Sequence, residues 1–391
     1  MSTALTLAEQ GSSVVVLEAG EIGDAASGRN GGQVIAGLRH FPEELVETYG
    51  RDRGRRLYEF GARTADDAFA LIARHRLDCE AAQEGWINVT DAPSGLDMVR
   101  RRVAAWRAHG APARELSRAE LRELIGTDAY LGGWIDPRGG TVQPLSLVRE
   151  LARAARGAGA EVFVHSRVVD IARAGRDWRV STGAGSIVAR RVLLATNALT
   201  GPLNPPLARS FLPVWSYQIA TGPLPDAITP IRTGAAISDS RRVLRYFRRD
   251  RQGRVIVGGK GTSGGPKGPG SFNLQRLTLA RLYPALASIE PTYYWGGQVS
   301  VTIDRLPRFF VLDDGLFATL ACNGKGVAWN LALGPVLAAA LSGVDPDSLP
   351  LPPARPPAPI PFHRLKRVYA AAGSTWLRLR DMIERQTPVR T

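Results

Sequence analysis

The sequence VVVLEAG, residues 14–20, is the most informative about the fold, because it indicates a buried parallel strand that ends at an acidic side chain. Val14 to Leu17 form a continuous apolar run, which is typical of a strand covered on both faces. Residues 3–10 place apolar side chains at helical spacing, and Gly11 follows as a helix-ending glycine. This order matches the second half of a dinucleotide-binding β-α-β unit, in which a carboxylate such as Glu18 accepts a hydrogen bond from a ribose hydroxyl.

The first half of that unit is missing from the sequence. The dinucleotide fingerprint needs a strand and a G-x-G-x-x-G loop before the helix, with the acidic residue about 20 residues later. Here the helix begins at Met1, so the last glycine of the fingerprint would fall just before Met1. Met1 is therefore interpreted as an internal methionine read as a start, or as the first residue of a fragment, and a shortened protein is the alternative. Loss of the central strand would expose sheet edges and remove the phosphate site.

A glycine-rich segment, IGDAASGRNGGQ, occupies residues 22–33. Its four glycines let the backbone approach a flat ligand closely. Polar side chains between them supply hydrogen-bond donors, a combination that a plain flexible linker rarely shows. The candidate cofactor-binding residues in this segment are Ser27, Arg29, Asn30, Gly31 and Gly32.

VVVLEAG, IGDAASGRNGGQV and ACNGKGVAWNLALG (residues 321–334) resemble the D-amino-acid-oxidase-like family of FAD-dependent oxidoreductases. The resemblance is strongest to the gamma-glutamylputrescine oxidase and glycine/sarcosine oxidase branch, and it extends from Ser2 to about Phe362. It implies an α/β fold in which a Rossmann-like FAD-binding domain is interleaved with an α+β substrate domain built on an antiparallel sheet. The FAD-binding domain would comprise residues 1–76, 138–205 and 301–345, and the substrate domain residues 77–137 and 206–300. Residues 346–391 would form a proline-rich strap and a C-terminal helix.

The resemblance also implies further FAD contacts. The backbone near Val168 would meet the adenine, and Ala195, Thr196 and Asn197 would turn near the ADP moiety, with plain strand packing as the alternative for both. A helix start carries partial positive charge and free N–H groups, which would stabilise reduced flavin, anionic around N1 and C2=O. The residues expected there are Gly324, Lys325, Gly326 and Val327. Some relatives have a substrate-binding lysine where this chain has Ala328. This difference weakens the prediction of a simple substrate that is held by its carboxylate.

Residues 243–248 and 254–258 flank a DRQG turn and predict a β-hairpin. In the resembled family such a sheet forms the floor of the substrate pocket, so Tyr246 is a catalytic candidate, with a packed sheet aromatic as the alternative. Lys260 is the second candidate, because a lysine over the flavin can stabilise negative charge developing on oxygen. A solvated loop charge is the alternative for Lys260. Arg305 is expected to pair with a residue nearby, and the alternative is that it binds the carboxylate of the substrate.

Composition limits the class of protein. The 391 residues include only Cys79 and Cys322, too far apart for a disulfide framework or a metal cluster, and this favours a reducing, cytoplasmic location. The sequence has no signal peptide and no run long enough for a spanning helix.

The formal net charge is +14, but only four of the 50 basic residues are lysines, which favours a coding bias over attraction to an anionic partner. The arginines are dispersed, so nucleic acid is not expected as a partner.

Residues 363–385 predict a basic amphipathic helix. Its apolar face would either dock on the protein's own surface or contact a membrane surface. The residues predicted on that face are Leu365, Tyr369, Ala372, Trp376 and Leu379.

The predicted reaction is FAD-dependent oxidation of a primary or secondary amine, such as an amino acid or a polyamine derivative like gamma-glutamylputrescine, to an imine. Molecular oxygen is the expected acceptor. Such chemistry belongs mainly to the cofactor, so the five scattered histidines are no objection. One alternative is a dehydrogenase that passes electrons to a quinone or another carrier. The other is a flavin-free remnant or binding protein.

Overall fold

The computed structural model describes residues 1–391 except 263, 321, 355–356, 366–371, 374–375, 378 and 385–391. The α-helices are α1 Ser2–Glu9, α2 Pro42–Tyr49, α3 Arg51–Arg74, α4 Pro93–Arg107, α5 Arg118–Ile125, α6 Pro144–Gly157, α7 Pro205–Ala208, α8 Asn273–Leu282 and α9 Gly326–Leu341. The strands are β1 Val15–Leu17, β2 Gln33–Val34, β3 Trp86–Thr90, β4 Arg114–Ser117, β5 Gly132–Asp136, β6 Gly140–Thr141, β7 Glu161–Phe163, β8 Val168–Ala174, β9 Asp177–Thr182, β10 Ser186–Ala189, β11 Val192–Leu194, β12 Leu212–Ala220, β13 Ala236–Asp239, β14 Arg245–Arg249, β15 Val255–Lys260, β16 Tyr293–Val301, β17 Arg308–Asp313 and β18 Leu316–Leu320.

The largest sheet has eight strands in the order β16-β12-β15-β14-β13-β3-β5-β4. All its neighbours pair antiparallel except β13 and β3, which are parallel and join two distant parts of the chain. The predicted hairpin is present as β14 and β15, with Tyr246 opposite Gly258. A buried cluster that includes Phe247, Phe272 and Tyr283 covers one face of this sheet under α8, so the other face is left for the glycine-rich segment.

Smaller sheets carry the N-terminal elements. β1 pairs in parallel with β7, β11 pairs in parallel with β18, and β17 returns antiparallel to β18. The prediction that residues 14–17 form a strand buried on both faces is only partly right. The strand is parallel, but its residues are half-buried, because β7 is its only strand neighbour in the described part of the chain.

Helix α9, although late in the sequence, packs against the N-terminal helices α1 and α3. Its Trp329 is completely buried, and its Gly334 leaves room for Ser2, whose hydroxyl donates to the carbonyl oxygen of Leu331 at 2.8 Å. This packing fixes the position of the N-terminal end of α9, where the second glycine motif lies.

The predicted C-terminal helix lies partly outside the described residues. Residues 363–365 form a short 3-10 turn, and the described helical residues are 372–373, 376–377 and 379–384. The side chains of Leu365, Trp376 and Leu379 are exposed instead of docked on the protein surface, and Tyr369 lies outside the described residues. Across the part of the chain that the structure describes, no helix is both long and apolar enough to cross a bilayer.

Candidate functional site

The glycine-rich segment is shaped by the side chain of Asn30. Its Nδ2 donates to the carbonyl oxygens of Ala26 and Ser27 at 3.1 and 2.8 Å, and its Oδ1 accepts from the backbone N–H of Gly32 at 2.8 Å. Asn30 therefore uses its hydrogen-bonding capacity within the loop and sets the course of Gly31 and Gly32. Ser27 and Arg29 remain exposed on the same loop.

Gly31 and Gly32 lie against the large sheet. A Cβ on Gly31 would come within 2.5 Å of Cε2 of Tyr246, so only glycine fits there without a shift. Arg248 holds the same loop, because its Nε donates to the carbonyl oxygen of Gly31 at 2.8 Å and its Nη2 to that of Val142 at 3.1 Å. Burial lowers the pKa of Arg248 to about 10. The sheet thus seats the loop through two side chains of β14.

The two predicted catalytic residues lie on one face of that sheet. The Tyr246 hydroxyl lies 2.6 Å from Oγ of Ser216 and also contacts Nε2 of Gln218, and burial raises the pKa of Tyr246. Lys260 pairs directly with Ser216 across β12 and β15. Because directly opposed residues project to the same side of a sheet, Lys260 and Tyr246 share the face that meets the glycine loop.

The second glycine motif forms the start of α9. Lys325, the N-cap residue, makes no side-chain cap hydrogen bond, and the Cys322 sulfur accepts from the backbone N–H groups of Gly324 and Gly326. Lys325 Nζ donates to the carbonyl oxygen of Ala36 at 3.2 Å and lies 4.7 Å from the ring centre of Trp86. Burial lowers the pKa of Lys325 to about 7, and the positive charges of Arg102 and Arg39 act in the same direction.

A narrow cleft of about 10 Å³ beside this helix start contains three cationic side chains, Arg39, Arg305 and Lys325, and we call it the cationic cleft. Its other lining residues are Leu38, Pro307, Cys322, Asn323 and Trp329. Burial lowers the pKa of Arg39 to about 10, and the charges of Arg305 and Arg102 contribute. Among the described residues, neither Arg39 nor Arg305 has a carboxylate partner. Asp304, the neighbour of Arg305 in sequence, pairs with Arg308. The expected local pairing of Arg305 is therefore wrong, and the cleft holds unbalanced positive charge.

Two asparagines with left-handed backbones follow the parallel strands β11 and β18. Asn197 has φ +45° and Asn323 has φ +40°. Oδ1 of Asn197 accepts from the backbone N–H of Ser300 at 3.0 Å, and Oδ1 of Asn323 accepts from that of Thr302 at 2.9 Å. Both strand ends therefore bind the same segment, which leads to Arg305.

The predicted adenosine contacts fall into two groups. Glu18 directly follows β1, and its Oε1 accepts from the N–H of Gly20 at 3.0 Å. Its carbonyl oxygen accepts from Ser166, two residues before Val168, so Glu18 and Val168 are brought near each other. Ala195 and Thr196 follow β11, where the hydroxyl of Thr196 lies 2.8 Å from that of Thr200. Their contacts with a cofactor stay predictions.

The sequence interpretation missed Arg39, Arg248 and the positioning role of Asn323. For Arg248 a signal existed, since it lies two residues after Tyr246 and a strand places such residues on one face. Arg39 gave no comparable signal, because its approach to Arg305 and Lys325 depends on segments far apart in the chain.

Two observations fit the FAD that the sequence resemblance implies. The start of α9 carries the partial positive charge of a helix N-terminus, and Arg39 and Arg305 lack carboxylate partners among the described residues, so both features suit a group that becomes negatively charged. The residues that would hold FAD are Glu18 toward the ribose, the Gly31–Gly32 loop and the start of α9. The described residues contain no cluster of His, Cys, Asp and Glu able to hold a metal ion.

Comparisons with known proteins agree with this arrangement. A family model described as DAO, FAD dependent oxidoreductase, matches residues 1–340. The gamma-glutamylputrescine oxidoreductase of Escherichia coli (strain K12) is 30% identical over 391 residues, covering 98% of this chain and 90% of that protein. The probable oxidoreductase OrdL of Rhizobium meliloti is 32% identical over 331 residues, covering 84% of this chain and 77% of that protein. The glycine oxidase structure from Geobacillus kaustophilus has the same fold, with a TM-score of 0.75 at 21% identity over 90% of this chain and 95% of that chain.

Proposed function

The chain belongs to the FAD-dependent oxidoreductase family, and we propose that it oxidises a primary or secondary amine that carries a carboxylate. Amino acids and conjugates such as gamma-glutamylputrescine are the substrate class. The observation that carries the proposal is the cationic cleft of Arg39, Arg305 and Lys325 beside the start of α9. The similarity to gamma-glutamylputrescine oxidoreductase over 98% of the chain supports an amine as the electron donor.

The bound FAD would supply the acceptor for a hydride from the carbon that bears the amine, and water would hydrolyse the resulting imine to a carbonyl product. The protein contributes placement and charge. The start of α9 and Lys325 stabilise negative charge at one end of the site, because partial positive charge at a helix start and a nearby ammonium act together. Arg39 and Arg305 bind the substrate carboxylate, since a guanidinium matches a carboxylate with two parallel hydrogen bonds.

Tyr246 and Lys260 form the opposite wall, on the face of the large sheet that meets the glycine-rich loop. Tyr246 shapes the pocket, and its hydroxyl is held by Ser216. Lys260 supplies positive charge for reaction with molecular oxygen, which is the proposed acceptor. The two cysteines are free, which favours a cytoplasmic location.

A second candidate passes the electrons to a quinone or a protein carrier. The exposed apolar side chains of the C-terminal segment favour it, because quinones reside in membranes. The amine and the cofactor are the same in both candidates, and only the acceptor differs.

The test uses the purified protein with bound FAD and a panel of gamma-glutamylputrescine, putrescine, glycine and sarcosine. Anaerobic addition of a carboxylate-bearing amine is expected to bleach the visible flavin absorbance, whereas putrescine, which lacks a carboxylate, is expected to act poorly. Hydrogen peroxide formed in air identifies the oxidase. Turnover only with an artificial acceptor identifies the second candidate. Bound FAD that no amine bleaches would overturn both.

A further inference from the structure

Exposed apolar side chains are concentrated in the C-terminal segment. Among the described residues, six of the 19 large hydrophobic side chains that are exposed fall between positions 362 and 383. Scattered exposed hydrophobics are normal on a soluble surface, but a contiguous group marks an interaction site. The six are Phe362, Leu365, Trp376, Leu379, Met382 and Ile383.

The helical residues 379–384 are attached to the protein by their polar side. Asp381 is only 8% exposed and accepts from the backbone N–H groups of Arg242 and Val243 at 3.2 and 3.3 Å. Glu384 receives both terminal nitrogens of Arg242, at 2.7 and 2.6 Å. The two carboxylates therefore bind the connection between β13 and β14.

This attachment turns the apolar side outward. With about 3.6 residues per turn, positions 381 and 384 lie on one side of the helix, and positions 379, 382 and 383 lie on the other. Leu379 is 43% exposed and Met382 53% exposed, while Trp376, in the preceding turn, is 59% exposed. An ordinary amphipathic surface helix buries its apolar side chains against its own protein and exposes its carboxylates to solvent. In this helix the two sides are reversed.

Charge decides which partner covers this surface. The sequence of residues 361–391 contains seven basic and two acidic side chains. The two acidic ones are Asp381 and Glu384, which pair with Arg242, and Glu384 also pairs with Arg380 at 3.8 Å. In sequence, the segment therefore combines apolar residues with excess positive charge, the pattern of a helix that lies in the interface of an anionic bilayer. A second copy of the same segment would bring like charges together.

We propose that the described helical residues 376–377 and 379–384 dock the protein on an anionic lipid surface through Trp376, Leu379 and Met382. Asp381 and Glu384 hold the helix so that this face points away from the protein. The attachment point on the β13–β14 connection directly precedes the strand that carries Tyr246, so docking would orient the substrate sheet relative to the bilayer.

The experiment is flotation of the full-length protein with FAD bound, using vesicles of phosphatidylcholine alone and vesicles in which about a quarter of the lipid is phosphatidylglycerol. The wild type is expected to float with the anionic vesicles and to lose most binding in high salt. A double variant, Trp376→Asp with Leu379→Asp, is expected to reduce the bound fraction by about tenfold, because both side chains enter the interface. The matched control is Leu277→Asp, since Leu277 on α8 is 69% exposed but lies outside the segment.

Bound FAD and amine turnover, measured for every variant, separate a folding defect from a docking defect. The proposal is overturned if the wild type does not bind anionic vesicles, if it binds neutral vesicles equally, or if the double variant binds as well as the wild type. It is also overturned if the wild type is a dimer that the double variant converts to a monomer without vesicle binding, because a second copy would then cover this face.

Discussion

Asn197 and Asn323 hold the same chain segment from the ends of two adjacent parallel strands. Each follows its strand by three residues, each has a left-handed backbone, and each accepts a backbone N–H through Oδ1, from Ser300 and Thr302 respectively. Asn323 also donates through Nδ2 to the carbonyl oxygen of Leu306 at 2.8 Å. Arg305 lies between these anchors, so the asparagine pair positions one wall of the cationic cleft.

We therefore predict that Asn323→Ala lowers the free energy of unfolding by about 2 to 3 kcal/mol, because three hydrogen bonds are lost and alanine is strained at positive φ. Asn323→Gly removes the strain but not the loss of hydrogen bonds, and should recover about 1 kcal/mol. Denaturant unfolding measures both. Asn330→Ala, at an exposed position of α9, is the control. Equal stability of Asn323→Ala and this control would show that the anchor contributes nothing.

The contact between Gly31 and Tyr246 gives a second prediction. Gly31→Ala is expected to destabilise the protein by about 1 to 3 kcal/mol and weaken FAD retention, because the new Cβ overlaps the tyrosine ring and moves the loop. Gly31→Ala combined with Tyr246→Leu should restore part of the stability, since the ring is removed. Gly185→Ala, where a Cβ meets nothing within 4 Å, serves as the control. Failure of the double variant to recover would contradict this account.

Lys325 makes stability depend on pH. Its pKa is about 7 in the folded protein against a usual value of 10.5, chiefly because of burial. Between these values the unfolded chain binds a proton that the folded chain does not, so this contribution to stability rises with pH through that window. Relative to Lys325→Met, the wild type should gain about 1 to 2 kcal/mol between pH 7 and 9. Unfolding of both proteins at several pH values tests this, with exposed Lys267→Met as the control; parallel curves for wild type and Lys325→Met would contradict it.

Lys260 should act in the reaction with oxygen. Lys260→Met is expected to slow oxygen-dependent reoxidation of the reduced enzyme by about 10- to 100-fold, because a preorganised positive charge is removed. Anaerobic reduction by the amine should change little. Stopped-flow absorbance separates the two half-reactions, and Lys267→Met again provides the matched lysine control. An unchanged reoxidation rate would leave Lys260 with no part in oxygen chemistry.

The fold class, the family and the cofactor could all be predicted from the amino-acid sequence. Local signals suffice for these, because the apolar run before Glu18, the glycines of residues 22–33 and the glycines before α9 each require a particular backbone. The comparisons confirm the α/β FAD-dependent oxidoreductase that these motifs predict. The hairpin around residues 250–253 was predictable for the same reason, since turn residues and alternation act over a few positions.

Which side chains meet could be learned only from the three-dimensional structure. Arg39 lies far in sequence from Arg305 and Lys325, and the cleft that the three residues share forms only because the chain after β2, the chain after β16 and the start of α9 pack together. The direction of the C-terminal helix was also undecidable from its periodicity, because a pattern shows that a helix has two faces but not which one is held. Two carboxylates bound to Arg242 settle that direction, and such a pairing depends on distance in space, which a linear sequence does not contain.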